Sequence, residues 1–451
     1  MKKIVFFILG TVLICNLSAQ NYNSSNSSDF SLGNGLIINS GNDYQFKLSG
    51  MIQPTFSVAV DSLDNTDFLF NSKHTFFTFS GFSKPERVSF LMLADFSLSS
   101  PLLDAWVAYH VNNNIHFSFG QKLISANNRS MLFTEDNNQF SDRSALSSSY
   151  SQTGREFGLF VDLSYSIGDF NMNPSLGVTS GDGRSSFGSN SRDVDYGGFK
   201  YFGRLDFYPL GYFSDGNNLQ VYDIKREKTL KMVFGLAASY NDGASNSVGE
   251  GHGDFFLYNV NGDIQLPDYR QLYFDLLLKY RGMSFLAEYV NASASSLEQI
   301  YVDPIAFSLL QPTSISEYLA LGSGINFSLG YIFANNFGLD LAYSKISAEY
   351  EENLNSIISS NNDLKFSLSK YFLENNLKLS TTYSRNTNSD DNSSSIISLL
   401  KRNGKPLLYI CNLIISNFLL KNEKMAESIA KMHPLKRIGE GVDSANLANF
   451  L

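Results

Sequence analysis

Apolar and polar side chains alternate with a period of two along most of this chain. The stretch 198–211 shows the pattern most fully. Drawn as a strand, it puts Phe199, Tyr201, Gly203, Leu205 and Phe207 on one side and Lys200, Phe202, Arg204, Asp206 and Tyr208 on the other. One face is greasy and the other is charged. In a soluble sandwich the greasy face is core; in an outer-membrane barrel it meets lipid, and the charged face lines a water-filled lumen. Similar alternation predicts strands near 44–60, 72–82, 86–97, 102–111, 115–122, 156–166, 170–179, 198–208, 229–240, 271–281, 283–291, 318–333, 336–350, 363–373 and 375–385, with a sixteenth beginning near 394. Short turns such as Asn112-Asn113-Asn114, Arg281-Gly282 and Ala334-Asn335 alternate with long polar segments near 123–154, 180–197, 241–270, 292–317 and 351–362. Short turns at one end and long loops at the other belong to outer-membrane barrels.

Composition favours the lipid-facing reading. Aromatics make up 14% of the 451 residues, with 38 Phe and 24 Tyr against one Trp. Charged residues are 17%, below the roughly 25% usual for soluble domains. Past the N-terminus there is no apolar run of about 18 residues that could form a spanning helix. The expected class is therefore all-β: a transmembrane antiparallel β-barrel of about sixteen strands, with a short, partly helical C-terminal tail outside it.

The ends refine this picture. Lys2 and Lys3 precede an apolar run from Ile4 to Cys15, and Leu17-Ser18-Ala19 offers a small-residue cleavage site before Gln20, the pattern of a secretory signal peptide. Ile14 stands where a lipoprotein signal would carry a small residue. The organisation expected is a signal peptide over 1–19, a flexible Asn/Ser-rich leader over 20–43, a barrel over 44–400 and an atypical tail over 401–451. Cys15 leaves with the signal, and the other cysteine, Cys411, lies in the tail, so the body has neither a disulfide framework nor a thiolate metal site. Residues 401–451 carry eight Lys/Arg against four Asp/Glu, so the net −9 of the chain conceals a body of −15 over 20–400. An acidic body argues against nucleic acid as partner.

A diffusion channel needs no catalytic group or cofactor; it needs a constriction whose width and charge select solutes. The segment after the fifth strand is long enough to fold inward, and it carries Arg129, Glu135, Asp136, Asp142 and Arg143, with Arg155 at its exit. Arg129, Arg143 and Arg155 are therefore constriction candidates. Lys200, Arg204 and Asp206 join them as pore-lining candidates, because a charge facing lipid at midplane costs roughly 2–4 kcal/mol and drives that face inward. A ladder of cations suited to phosphate is not visible. His74, His110, His116 and His252 lack metal-ligand spacing in sequence, and Asp215-Gly216-Asn217 lacks the closing Glu of a calcium loop. No metal is expected.

Gly203-Arg204-Leu205-Asp206-Phe207-Tyr208-Pro209-Leu210-Gly211, followed by Arg226-Glu227-Lys228-Thr229 leading into Phe234-Gly235-Leu236-Ala237, resembles the phosphate-selective porin O and P family, particularly its Bacteroidetes-type forms. Arg143-Ser144, Gly154-Arg155-Glu156-Phe157-Gly158 and Lys279-Tyr280-Arg281-Gly282 with Glu288-Tyr289 also look like that family's recurring segments. The resemblance spans roughly 70 to 400. It implies a sixteen-stranded outer-membrane porin, homotrimeric, surrounded by lipid and passing small hydrophilic solutes or ions, anions such as phosphate included. Two other readings remain open: a non-conducting structural or adhesive barrel, and a secreted soluble β-protein. After Leu400 the last strand reads as cut by Lys401-Arg402-Asn403-Gly404, which is expected to compromise closure, and 423–451 resembles a C-terminal fragment of short-chain dehydrogenases/reductases. That fragment lacks the family's Gly-rich loop and Tyr-x-x-x-Lys pair, so no enzyme activity is expected.

Overall fold

The computed structural model describes residues 26–403 except 32, 62–64, 182, 185–196, 252, 373–374 and 389–391. The expected signal peptide and most of the expected tail lie outside these residues. Nineteen strands follow one another: β1 (Ser27–Ser31), β2 (Gly35–Ser40), β3 (Tyr44–Val60), β4 (Thr66–Ser83), β5 (Val88–Asp95), β6 (Leu102–Asn112), β7 (Ile115–Leu123), β8 (Arg155–Leu163), β9 (Tyr165–Ile167), β10 (Phe170–Thr179), β11 (Lys200–Tyr208), β12 (Lys231–Asn241), β13 (Asp268–Tyr280), β14 (Met283–Ser295), β15 (Gly322–Ile332), β16 (Phe337–Ala348), β17 (Asn361–Phe372), β18 (Leu377–Asn388) and β19 (Asn392–Asn403). From β3 onward each pairs antiparallel with its successor, except that β8 pairs with β10 and β9 continues β8 along the same strand. β19 returns to β3, with Ser394 opposite Val60 and Asn403 opposite Met51. The result is a closed ring of sixteen strands, β3–β8 and β10–β19.

Closure corrects the expectation of a broken last strand. Pairing asks only for backbone N–H and C=O groups, and Arg402 and Asn403 supply them opposite Ile52 and Met51. The lower part of the same β3 edge is taken by β2, from Leu36 opposite Leu48 to Ser40 opposite Tyr44. That β1–β2 hairpin lies where a flexible leader was expected, and it continues the column of β19 down β3. β4 also starts earlier than its alternation suggests. Its register with β3 shifts between Gln53 and Pro54, a bulge that suits a proline without an N–H to donate, and the shift breaks the period-two pattern there.

The alternation is inside-out relative to a soluble protein. Along β16, Phe337, Leu339, Leu341 and Tyr343 are exposed on the exterior, while Asp340, Ala342, Ser344 and Ile346 are buried in the interior. In β11, Tyr201 faces out at 46% exposure, and Lys200, Phe202 and Arg204 face in. A greasy exterior around a ring without edges satisfies every constraint a bilayer imposes on strands. The soluble reading, with the greasy face as core, does not fit.

Long connections gather at one end: 124–154, 180–199, 242–267, 296–321 and 349–360. The opposite end has short turns with one exception, 209–230, which joins β11 to β12. Both 124–154 and 209–230 turn into the ring.

Candidate functional site

The 124–154 segment folds as a helical turn, α1 (Arg129–Leu132), a 3-10 turn over Glu135–Asn137 and a short helix, α2 (Ala145–Tyr150). Ser144 caps α2, its hydroxyl accepting from the Ser147 amide at 3.1 Å. Ile124, Ala126, Leu146 and Tyr150 join the largest buried apolar cluster, which anchors the segment against the barrel wall. Polar contacts fix its position. Arg129 Nε donates to Asp275 Oδ1 at 2.5 Å and Arg129 Nη2 to Asp206 Oδ1 at 2.6 Å. Arg204 reaches the same two carboxylates, at 2.6 Å to Asp275 and 2.8 Å to Asp206, and donates to the Asn127 carbonyl at 3.0 Å. Two guanidinium groups and two carboxylates thus neutralise one another beneath the segment. Gly235 makes room for them: a Cβ there would stand 2.6 Å from Arg129 Nη2 and closer still to Arg204 and Asp275.

Further along, Glu288 accepts from the Ser130 amide at 2.7 Å and from Asn128 Nδ2 at 3.0 Å. Lys365 donates to the Arg143 carbonyl at 2.8 Å and Lys378 to the Gln139 carbonyl at 2.7 Å. Arg143 ties the segment to itself, donating to the carbonyls of Ser130 and Phe133 and to Glu135 Oε1 at 2.8 Å. Burial acts to raise the Glu135 pKa, but Arg143 and then Arg155 outweigh it and hold the group down at about 2. Arg155 donates to the Thr153 carbonyl at 2.7 Å and faces Asp104 at 3.4 Å. Lys200 donates to Glu156 at 3.1 Å and to the Gly249 carbonyl at 2.9 Å. The sequence candidates therefore split. Arg129, Arg204 and Asp206 meet in one cluster, whereas Arg143, Arg155 and Lys200 each sit elsewhere with local partners. Asp275, Glu288 and Lys365 were missed, since isolated charges on strands give no sign of what they face. The inward glycine at 235 was the available signal.

From the other end, 209–230 closes on itself around Asp223. Its carboxylate accepts from Asn217 Nδ2 at 2.8 Å, the Glu227 amide at 3.0 Å and the Gly282 amide at 2.7 Å. Lys279 donates to the Asn217 and Gln220 carbonyls at 2.5 and 2.7 Å. The two inward segments meet where the Val221 amide donates to the Asn137 carbonyl at 3.0 Å.

Together they cover one side of the interior. The inward side chains Asp275, Glu288, Asn326 and Asp340, on β13–β16, are 6%, 3%, 1% and 2% exposed. Across the ring, part of the β5–β10 wall keeps contact with solvent: Ser89, Trp106, His110, His116, Lys122 and Ser175 are intermediate in exposure, while Ala108, Ser118, Phe160 and Asn171 on the same wall are buried. Lys122 and Asp162 pair at 2.7 Å with 23% and 37% of their side chains exposed. Lys122 Nζ also lies 5.6 Å from the Trp106 ring centre and 5.4 Å from that of Phe160.

No protein-family model matches the chain, and no curated protein matches it in sequence. Solved structures align with most of the chain at low identity. OmpT of Vibrio cholerae, as expressed in the outer membrane, aligns at 11% identity over 81% of this chain and 99% of that one, with a TM-score of 0.47. The outer-membrane channel DcaP of Acinetobacter baumannii aligns at 14% identity over 81% and 99%, TM-score 0.47. OprB of Pseudomonas putida aligns at 10% identity over 83% and 98%, TM-score 0.47. No residue role transfers at this level of likeness; the fold assignment rests on the strand pairing itself.

Proposed function

We propose that this chain is an outer-membrane porin, exported by a cleaved signal peptide, that lets small hydrophilic solutes and ions diffuse passively along the β5–β10 side of its lumen. The observation that carries the reading is the contrast between the two interior walls: one is covered by two inward segments, and the other reaches solvent at Ser89, His110, His116, Lys122 and Ser175. Lys122 and Asp162 neutralise each other on the accessible wall, and the arginines at 129, 143, 155 and 204 all have carboxylate partners. Discrimination by charge is therefore weak, and of the finer readings a phosphate preference, as in the O and P family, has the least support. A homotrimer remains part of the proposal. On the exterior a concavity over Gly203 and Ala238, rimmed by Leu176, Tyr201 and Leu272, offers a surface for a second copy.

The contact between the two inward segments favours a second reading, a plugged barrel that does not conduct. Reconstitution into planar bilayers decides between them. The porin reading expects discrete conductance steps and, in a salt gradient, a reversal potential near zero. Insertion without steps would leave the plugged barrel, and a strongly anion-selective potential would restore the phosphate reading.

A further inference from the structure

The accessible wall carries a second feature beside its ion pair. Strand register sets His110 of β6 opposite His116 of β7, His116 opposite Asp162 of β8, and Asp162 opposite Ser175 of β10, so the four residues form one row across the interior. The two imidazoles face each other nitrogen to nitrogen, with His110 Nδ1 2.6 Å from His116 Nδ1. His110 Nε2 is held by Ser89 Oγ at 2.7 Å, and the edge of Phe82 stacks against the same ring at 5.8 Å. Asp162 is tied to Lys122 at 2.7 Å and to Ser175 at 2.6 Å.

Two nitrogens that close share a single proton, and a second proton would set N–H against N–H. A borderline divalent metal can take the proton's place. On one tetrahedral ion at about 2.0–2.1 Å, two imidazole nitrogens stand about 3.3 Å apart, so the rings need to separate by less than about 1 Å. Both rings keep contact with solvent, which leaves room for that movement and for water to complete the coordination. Imidazole pairs suit Cu(II), Ni(II) and Zn(II). Ser89 fixes one ring from behind, as an outer partner of a metal-bound histidine does. No group of three or more His, Cys, Asp or Glu is arranged as a metal site among the described residues, so the protein would contribute two ligands and solvent the remainder.

We propose that His110 and His116 form a divalent transition-metal site on the wall of the lumen, near its short-turn mouth, and that an ion bound there narrows the path. The blocking part rests on the porin reading; the binding part does not. The test uses the full chain in detergent and in planar bilayers. With Cu(II) as probe, paramagnetic resonance is expected to show one ion coordinated by two nitrogens, and affinity to fall about tenfold or more in His110→Gln and His116→Gln. His74→Gln, whose ring bonds Asp95 instead, is expected to change nothing. With Zn(II) as probe, single-channel current is expected to fall reversibly, and the two variants to abolish the block. Binding indifferent to His110→Gln and His116→Gln overturns the site, whatever the channel does. Two-nitrogen Cu(II) binding in a barrel without current keeps the site and overturns the porin reading.

Discussion

Arg129 and Arg204 bind the same two carboxylates from different directions, one from the inward segment and one from the wall, and this holds the constriction in place. Removing Arg129 leaves Asp275 and Asp206 with Arg204 alone. In Arg129→Ala we expect a loss of about 3 kcal/mol, the low end for breaking a buried pair, together with larger and noisier single-channel currents as the segment loosens. Denaturant unfolding and bilayer recordings measure the two effects. Gly235→Ala is expected to act the same way by pushing the cluster apart. Glu135 adds a pH dependence. Its pKa is held down at about 2 by Arg143 and Arg155, so its contribution is complete above the ordinary carboxylate range and is lost as pH falls from about 4.5 toward about 2. Channel noise should rise only in that window, and Glu135→Gln should show the noise at neutral pH. The sequence pointed to Arg129, Arg204 and Asp206, because charges on an alternating strand must face inward. It could not show that Asp275, 71 residues beyond Arg204 and 146 beyond Arg129, would join them as the second carboxylate, since register around a barrel is set by every intervening hairpin.

Among the elements, the strands were legible because period-two alternation follows directly from one wet and one greasy face. Two elements were not. The β1–β2 hairpin is written in Ser, Asn and Gly, with only Phe30 and the run Leu36-Ile37-Ile38 to suggest strands, and its role depends on a vacant stretch of β3 edge that no local pattern reveals. Deleting 27–40 is expected to lower the temperature at which the barrel unfolds on a heat-modifiability gel, while the ring itself still forms through β19 and β3. The connection 209–230 contradicts the rule of short turns at its end because it folds as a second inward segment around Asp223. Asp223→Ala removes the acceptor for Asn217, Glu227 and Gly282, and conductance is expected to rise in that variant without loss of the strands by circular dichroism.

At the scale of the whole molecule, an antiparallel barrel of about sixteen strands with a greasy exterior was expected from the sequence, and 124–154 was long enough to fold inward; closure of the ring was not expected, because the last strand read as cut. The asymmetry of the interior was not, since it arises from two segments entering from opposite ends and settling on the same side. The described residues contain no cysteine, and Cys411 can be replaced by Ser, so single cysteines can map that asymmetry directly. The decisive measurement is the rate at which a small charged thiol reagent blocks single-channel current in Ser89→Cys and Ser175→Cys, on the accessible wall, compared with Ser284→Cys and Ser328→Cys, on the covered one. Rapid block at 89 and 175 with slow or absent block at 284 and 328 is the predicted result. Equal rates on the two walls, or block confined to 284 and 328, would contradict a path along β5–β10.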